Sequence, residues 1–385
     1  MRVLMITTPV PSHLAPMLPL ADALRAAGHE VLLTGQPDVA ATAEDAGLEF
    51  AAVGGPYHQE DVVLSGLPDG PRPLEALGRA GAAATVEGVR ALVVHARYLT
   101  PRYLETAREW RPDLVVGSQL DFSAPLVGAA LGVPVVEHRW GVDPGGAVTR
   151  FRAGVFLGGL ADRLGLPGLP APDLILDPWP VGLQDPEAEA ATPIRYLPAP
   201  AAGSAAPAPA AGVRRIAVAF DGQNLDLRTG PLLHAVLVAL AAAPGLEPVL
   251  ALTPDALHRF GELPAGVRAV GPVREAGALA GCAAAVHLGD GASTLAAAAA
   301  GLPQLVLPQF MHQFEAADRV VAAGAGLSLD TAAEQDDPDR VVRALTGLLD
   351  EAVYAKAADE LRRTVLEQPE PAQVVAELER LVSGG

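Results

Sequence analysis

The sequence predicts an α/β protein of two doubly wound, Rossmann-like domains facing each other across a cleft. Three observations carry this. The chain opens on a strand–helix–strand unit, MRVLMITTPVPSHLAPMLPLADALRAAGHEVLL. An opening strand of the same kind returns past the middle, as RRIAVAF. Between the two halves lies LPAPAAGSAAPAPAAG, whose proline density leaves room for neither helix nor strand.

The elements follow in order. Arg2 to Thr8 is an apolar, β-branched run, the mark of a buried parallel strand. Ser12 is placed to cap the next helix, whose Leu14, Met17, Leu18, Ala21 and Leu24 share one face and which Gly28 ends. Val31 to Leu33 completes the unit. The pattern recurs with a strand at Leu114 to Val116, a helix at Pro125 to Leu131 and a strand at Val133 to Val136. After the linker, residues 197–212, Arg214 to Phe220 opens the second domain. A helix (Leu232 to Ala243) and strands at Val249 to Leu252 and Val267 to Val270 follow. Then comes VHLGDGASTLAAAAAGLPQLVLPQFMHQ: a strand ending on His287, a Gly-rich corner, a helix beginning near Ser293, a strand ending at Pro308, and a loop with His312 and Gln313. A last helix, Ala372 to Val382, puts Val374, Val375, Leu378 and Leu381 on one face. The expected division is 1–196, linker 197–212, and 213–367, with the final helix beyond.

Composition narrows the function. The 385 residues are half hydrophobic, with 40 Gly and 36 Pro, enough for two or three cores. The net charge is −18 and no Lys/Arg-rich run exists, which argues against nucleic acid and against an anionic membrane. The lone Cys282 excludes a disulfide scaffold and a Cys-based zinc site. The start lacks the apolar core of a signal peptide, and no apolar run is expected to reach the roughly 18 residues of a spanning helix. A soluble cytoplasmic chain is expected. One lysine, Lys356, against many Arg, Ala, Gly and Pro reflects GC-rich codons of the actinobacterial kind.

Facing α/β domains present ligands at the carboxyl ends of their strands. In His287 to Thr294 the helix starts with unpartnered amides and a positive dipole end, the glycines let a phosphate approach, and Ser293 and Thr294 add hydroxyls. His287 could donate to a phosphate oxygen. That makes a pyrophosphate cradle; the ordinary alternative is Ser293 as an N-cap and His287 as a satisfied strand-end histidine. The corner is neither a P-loop nor GxGxxG, and Asp290 opposes an anion unless it points away or is neutralised. His312 and Gln313 are either plain loop polars or hydrogen-bonding groups for a polyhydroxylated ligand. His13, at a helix start, is held neutral and able to accept a proton, and Asp121 past another strand could orient it. Phe122, Trp140 and Trp179 are candidate apolar walls, with core packing as the alternative for each. HxH, HExxH and CxxC spacings are absent, which disfavours a metal, and GxSxG is absent, which disfavours a serine hydrolase.

These residues resemble the nucleotide-diphosphosugar glycosyltransferases of the GT-B fold, in the branch that decorates bacterial antibiotics. That branch carries a stretch close to VHHGGAGTTLTALxAGVPQLVLPQxxDQ; here it reads VHLGDGASTLAAAAAGLPQLVLPQFMHQ. The opening MRVLMITTPVPSHLAPMLPLADALRAAGHEV and RPDLVV…APLVGAALGVP are similar too, so the likeness spans most of the chain. It implies an acceptor site in the first domain and a donor site in the second. His13 matches the base that deprotonates the acceptor, and His287 the histidine on the donor pyrophosphate. Gly289, Ser293 and Thr294 match the phosphate loop, with Gly291 inside it, and Gln313 matches a sugar-contacting glutamine. The final helix, about 368–385, would pack back on the first domain.

The departures are specific. Leu288 replaces the second histidine, Asp290 the second glycine, and Gly291–Ala292 reverses the next pair. His312 stands for the sugar-binding aspartate, Asp221–Gly222 for Gly-Thr, and Pro272 for an aromatic. The acid that orients the base falls near Ser118, leaving Asp121 or Asp143 to substitute. The implied reaction is an inverting, metal-independent transfer of a deoxysugar from a dTDP-type donor to a hydrophobic natural product, with no cofactor beyond the nucleotide sugar. Two other readings stay open: a binding or helper protein without donor chemistry, and a fold member with another sugar-nucleotide or natural-product reaction. Association into a homodimer is left open as well.

Overall fold

Seven parallel strands form the first sheet: β1 (Arg2–Ile6), β2 (Glu30–Gly35), β3 (Glu49–Ala52), β4 (Leu114–Ser118), β5 (Val135–His138), β6 (Leu174–Asp177) and β7 (Thr192–Pro193). Six more form the second: β8 (Arg214–Ala219), β9 (Leu246–Ala251), β10 (Arg268–Val270), β11 (Cys282–His287), β12 (Gln304–Val306) and β13 (Gly326–Ser328). The computed structural model describes the chain apart from residues 80, 81, 143–145, 199–207, 221, 274, 276 and 385, and apart from the side chains of 82–88. Most of the expected linker therefore lies outside the described residues.

The spatial orders are β3-β2-β1-β4-β5-β6-β7 and β10-β9-β8-β11-β12-β13. Each sheet reverses direction once, between β1 and β4 and between β8 and β11. The crevice at such a reversal is where doubly wound folds bind ligands. Val3, Leu4, Met5 and Ile6 of β1 are all fully buried, because a central parallel strand is covered on both faces. Leu14, Met17, Leu20 and Leu24 seal one face of the first sheet; Tyr103, Leu104 and Ala107 help to seal the other.

Several details differ from the sequence reading. The first helix starts at Pro11, with Val10 before it, so Ser12 is not a cap. Its hydroxyl instead lies 3.5 Å from Gln223 Oε1 of the second domain. A helix of 29 residues, Ala82–Trp110, fills a stretch that carried no assignment. The segment Gly222–Ala242 is long and apolar, with a mean hydropathy of 1.4, against the expectation that no such run exists. Arg228, at φ +66°, interrupts it. The helix Gly230–Ala242 beyond that break buries Leu233, Val236, Leu237 and Leu240 in the second core. The last helix, Pro371–Ser383, follows the second sheet in sequence but packs Val374, Val375 and Leu378 into the first core beside Leu20 and Leu24.

Candidate functional site

β1 ends at Ile6, and the chain turns through Thr7 to Val10 into the short helix Pro11–Leu14. That turn sets His13 at the reversal point between β1 and β4, only 5% exposed. Its Nδ1 is 2.8 Å from Thr8 Oγ1. Thr8 is in turn fixed by its amide, which donates to Ser118 Oγ at 3.1 Å across the β1–β4 edge. One face of the imidazole is covered by Trp140, parallel to within 7° at 3.5 Å. His312 approaches both rings edge-on, at 6.0 Å from His13 and 5.1 Å from Trp140. Trp140 is itself held by its indole N–H on the Gln119 carbonyl, 2.8 Å away. His13 Nε2 has no partner.

Burial, and then the nearby His312, push the His13 pKa well below the ordinary histidine value. His312 is pushed down to about 4 by burial, partly offset by Asp290. Both rings are neutral near pH 7, when each can accept a proton and neither carries charge.

One cavity is lined by this cluster and a second lies close by. One, of 340 Å³, is lined by His13, Trp140 and His312 together with Tyr57, Val62, Leu120 and Phe310. The other, of 840 Å³, runs between the domains from Pro11 and Ser12 to Gly222, Thr253, Asp290, Ala292 and Ser293. The large cleft is acidic: Asp38, Asp45, Glu60, Asp226, Asp255 and Asp290 border it. Among the described residues that border it, the one arginine, Arg259, already pairs with Asp226 and Asp255.

The first-domain residues singled out in the sequence divide. Trp140 joins the site. Asp121 does not pair with His13: its Oδ1 accepts from the amides of Ser123 and Ala124, at 2.8 and 2.9 Å, capping the helix Ser123–Leu131. Burial raises its pKa to about 6. Among the described residues the partner of His13 Nδ1 is the hydroxyl of Thr8. Phe122 packs among Val93, Leu126 and Leu157, in a core rather than on the cavity wall. Trp179 is 1% exposed and packs beside Leu295 and Leu361, with its amide donating to Asp177 Oδ1 at 2.8 Å. It too is core. Asp143 and Asp221 lie outside the described residues, while Gly222 borders the large cleft.

At the second reversal point the corner differs from the cradle expected of it. His287 is fully buried, and both ring nitrogens are used. Nδ1 accepts from the Gly289 amide at 3.0 Å, so Nε2 carries the proton and donates to Gln304 Oε1 at 2.8 Å. It is the satisfied strand-end histidine, with nothing left for a phosphate. The following helix begins at Gly291, and Asp290, not Ser293, is its N-cap, its Oδ1 accepting from the Ser293 amide at 2.9 Å. Thr294 returns its hydroxyl to the Asp290 carbonyl, at 2.8 Å. The Asp290 carboxylate thus fills the corner, its Oδ2 buried and unpartnered. Only the amides of Gly291 and Ala292 remain for an anion at this helix start.

The glycines here answer to packing. Gly289 has φ +92°, and a Cβ would lie 2.7 Å from the Gln313 carbonyl. At Gly291 it would lie 2.2 Å from the Trp140 carbonyl, so this glycine lets the two domains touch beside His13. Gln313 is 2% exposed; its Oε1 accepts from the Gln309 amide at 2.8 Å and its amide donates to Asn224 Oδ1 at 3.0 Å. It ties two loops together rather than reaching into a cavity. His312 lines the apolar cavity and not the large cleft. Thr8, Ser118, Gln119 and Asn224 were passed over in the sequence, because single hydroxyls and amides carry no spacing signal; only Ser118 stood near a marked position.

Similarity to known proteins adds to this geometry. The chain matches the erythromycin biosynthesis protein CIII-like N-terminal domain over residues 22–207 and the C-terminal domain of the same name over 235–381. It is 35% identical to L-demethylnoviosyl transferase of Streptomyces niveus over 388 residues, covering 98% of this chain and 97% of that one. It is 28% identical to 3-alpha-mycarosylerythronolide B desosaminyl transferase of Saccharopolyspora erythraea, covering 100% and 99%. Spinosyn rhamnosyltransferase SpnG complexed with thymidine diphosphate matches the structure with a TM-score of 0.84 and 32% identity, covering 98% of this chain and 100% of that one.

Proposed function

The chain belongs to the erythromycin biosynthesis protein CIII-like family, glycosyltransferases of the GT-B fold, and we propose that it moves a deoxysugar from a dTDP-type donor to a hydrophobic natural product, with inversion and without a metal. The first domain, residues 1–196 with the helix at about 368–385, takes the acceptor in the 340 Å³ cavity. The second, 213–367, takes the nucleotide sugar in the 840 Å³ cleft. Solved relatives complexed with thymidine diphosphate support the choice of nucleotide. A cytoplasmic setting fits these substrates.

One observation carries the reading: His13 Nε2, unpartnered, on the wall of an apolar cavity and one turn from the residues that border the cleft. In the reacting tautomer Nδ1–H donates to Thr8 Oγ1 and the lone pair of Nε2 faces the acceptor hydroxyl. The proton passes to Nε2 as the acceptor oxygen attacks the anomeric carbon. The bond from that carbon to the diphosphate oxygen breaks on the opposite face, and the electron pair leaves with the nucleotide. The Gly291 and Ala292 amides, at a positive helix end, meet the leaving charge.

Asp290 favours a second reading, a helper protein without donor chemistry, because its carboxylate stands where a phosphate would be drawn. Thermal denaturation with dTDP separates the two. A ligand that binds only the folded chain stabilises it by about 2.7 kcal/mol at a hundredfold excess over Kd. A shift with dTDP, and sugar transfer that survives EDTA, are expected. No response to any nucleoside diphosphate would favour the helper, and a strict Mg²⁺ requirement would refute the metal-free mechanism.

A further inference from the structure

One loop brings the second domain to the apolar cavity. Residues 307–311 leave β12 and enter the helix His312–Ala322, and Phe310, Met311 and His312 stand on a wall drawn mostly from the first domain. The loop is strained: Met311 has φ +45°, a setting that a methionine keeps only where its surroundings fix it. The fixing runs through Gln309, which is fully buried. Its amide donates to Gln313 Oε1 at 2.8 Å. Its Nε2 donates to the Leu307 carbonyl at 2.9 Å and to Gln335 Oε1 at 2.7 Å. Its Oε1 accepts from the other domain, from Arg72 Nε at 3.0 Å.

Arg72 has a side chain only 5% exposed. Its Nη1 pairs with Asp336 of the second domain, at 2.8 Å, and with Glu75 of its own segment. That segment also gives Gly66, Leu67, Pro73 and Leu77 to the cavity wall. The arginine thus joins the two domains' shares of one cavity. We propose that Arg72 is a positioning residue for the transfer: it ties loop 307–311 to the first domain and so sets Phe310 and His312 against the His13–Trp140 stack.

This rests on the reading of the chain as a transferase with His13 as base. Arg72 does not line the cavity and acts through residues that do. His312 lies 6.0 Å from His13 and 5.1 Å from Trp140, edge-on to both, and Phe310 is 5.9 Å from His312. This packing helps to hold His13 and Trp140 at 5% exposure each, and so fixes where Nε2 meets the cavity. A shift of about 1 Å at reacting groups can cost about 100-fold in rate. The tie calls for an arginine. A planar guanidinium meets the Gln309 oxygen and the carboxylates with different N–H groups at once. The single ammonium of lysine keeps the ion pairs or the Gln309 bond, but not the whole set.

Arg79 separates positioning from plain adhesion of the domains. It belongs to the same stretch of chain, is 43% exposed, and pairs with Asp318 and Asp330 of the second domain beside the Phe314 ring. Among the described residues it forms no hydrogen bond or ion pair with 307–311.

The test compares wild type, Arg72→Lys and Arg79→Ala as full chains. Amide hydrogen exchange in peptides spanning 307–313 should be at least tenfold faster in Arg72→Lys and within threefold of wild type in Arg79→Ala, with the β1 amides unchanged in both. Asp336→Ala removes one carboxylate from an exposed position and should speed the same exchange at least threefold, which keeps the test decisive should Arg72→Lys fold poorly. Single-turnover transfer from a panel of dTDP-6-deoxyhexoses to 2-naphthol, a probe acceptor, should slow about 10- to 100-fold in Arg72→Lys. The Kd of dTDP should stay within threefold, and Arg79→Ala should keep its rate within threefold. Unchanged exchange at 307–313 in Arg72→Lys or in Asp336→Ala, or a rate within twofold of wild type in Arg72→Lys, overturns the inference. An equal loss in Arg79→Ala overturns it too, since adhesion would then be the cause. Wild type that neither binds dTDP nor transfers refutes the transferase reading instead, and the exchange rates still decide whether Arg72 fixes the loop.

Discussion

Thr8→Val tests the site at its least expected member. Valine has nearly the same shape, so the pocket around a side chain that is 2% exposed stays filled, and what is lost is the hydroxyl 2.8 Å from His13 Nδ1. A neutral hydrogen bond contributes about 0.5–1.5 kcal/mol, and leaving the buried Nδ1 without a partner costs about 1–3 kcal/mol. The stability loss should therefore be about 1–3 kcal/mol. The rate should fall further than folding does, because the ring can then adopt the tautomer that carries its proton on Nε2 and cannot act as a base. Removing the charged orienting partner in the serine-protease triad costs about 10⁴-fold, which sets an upper limit. Here Trp140 still holds the ring plane by stacking at 3.5 Å, so the loss should be about 10- to 100-fold. Single-turnover transfer isolates the chemical step, and dTDP binding, measured separately, should change less than threefold. Thr8→Ser, which keeps the hydroxyl, should recover most of the rate. A kcat for folded Thr8→Val within twofold of wild type would show that stacking alone orients His13, and the positioning role would fall.

Asp290→Asn keeps the helix cap, since asparagine caps as well as aspartate, and removes the charge facing the cleft. If a diphosphate binds there, dTDP affinity should rise at least fivefold, because a unit charge about 8 Å away is worth about 2 kcal/mol at an effective dielectric constant near 20; weaker binding on calorimetry would refute this. Gly291→Ala forces a methyl to 2.2 Å from the Trp140 carbonyl, so both the melting temperature and kcat should fall; unchanged values would mean that the domains part there at no cost. Acid should destabilise the fold. His138 and His312 fall to about 4, and His13 and His287 are lowered too, so the unfolded chain takes up protons first as pH drops below about 6.5. Stability held above that value is lost between about pH 6.5 and 4. Asp121, raised to about 6, acts in the opposite sense and offsets about one histidine. Thermal melts should show a net loss at pH 5 against pH 7; equal or higher stability at pH 5 would refute the assignment of neutral, buried rings.

The sheets were legible because their signal is repeated along the chain. β1 and β8 are short apolar runs that only a strand covered on both faces can use, and each is followed by a helix with an apolar stripe. The ends were less legible. Ser12 has the side chain of a cap, yet Pro11 takes the first helical position and Val10 precedes it. The long helix Ala82–Trp110 was missed because Pro101 and a weak apolar stripe disguise it.

The site was legible only where one residue carries the chemistry. His13 stands at a strand end and a helix start, and both facts are local. The rest depends on which nitrogen of which histidine finds a partner across the sheet. His287 has the sequence setting of a phosphate ligand, but β11 and β12 run side by side with His287 opposite Val306, and Gln304 two residues earlier accepts the hydrogen bond from its Nε2–H. Asp290 then claims the Ser293 amide. Both are hydrogen bonds that a buried corner must make in the absence of ligand, since an unpaired polar group there costs about 1–3 kcal/mol. At His13 the same accounting leaves Nε2 over. Trp179 Nε1 is buried and unpaired as well, but it lies in the core; His13 Nε2 is unpaired against an apolar cavity, and it is the group with chemistry still to do.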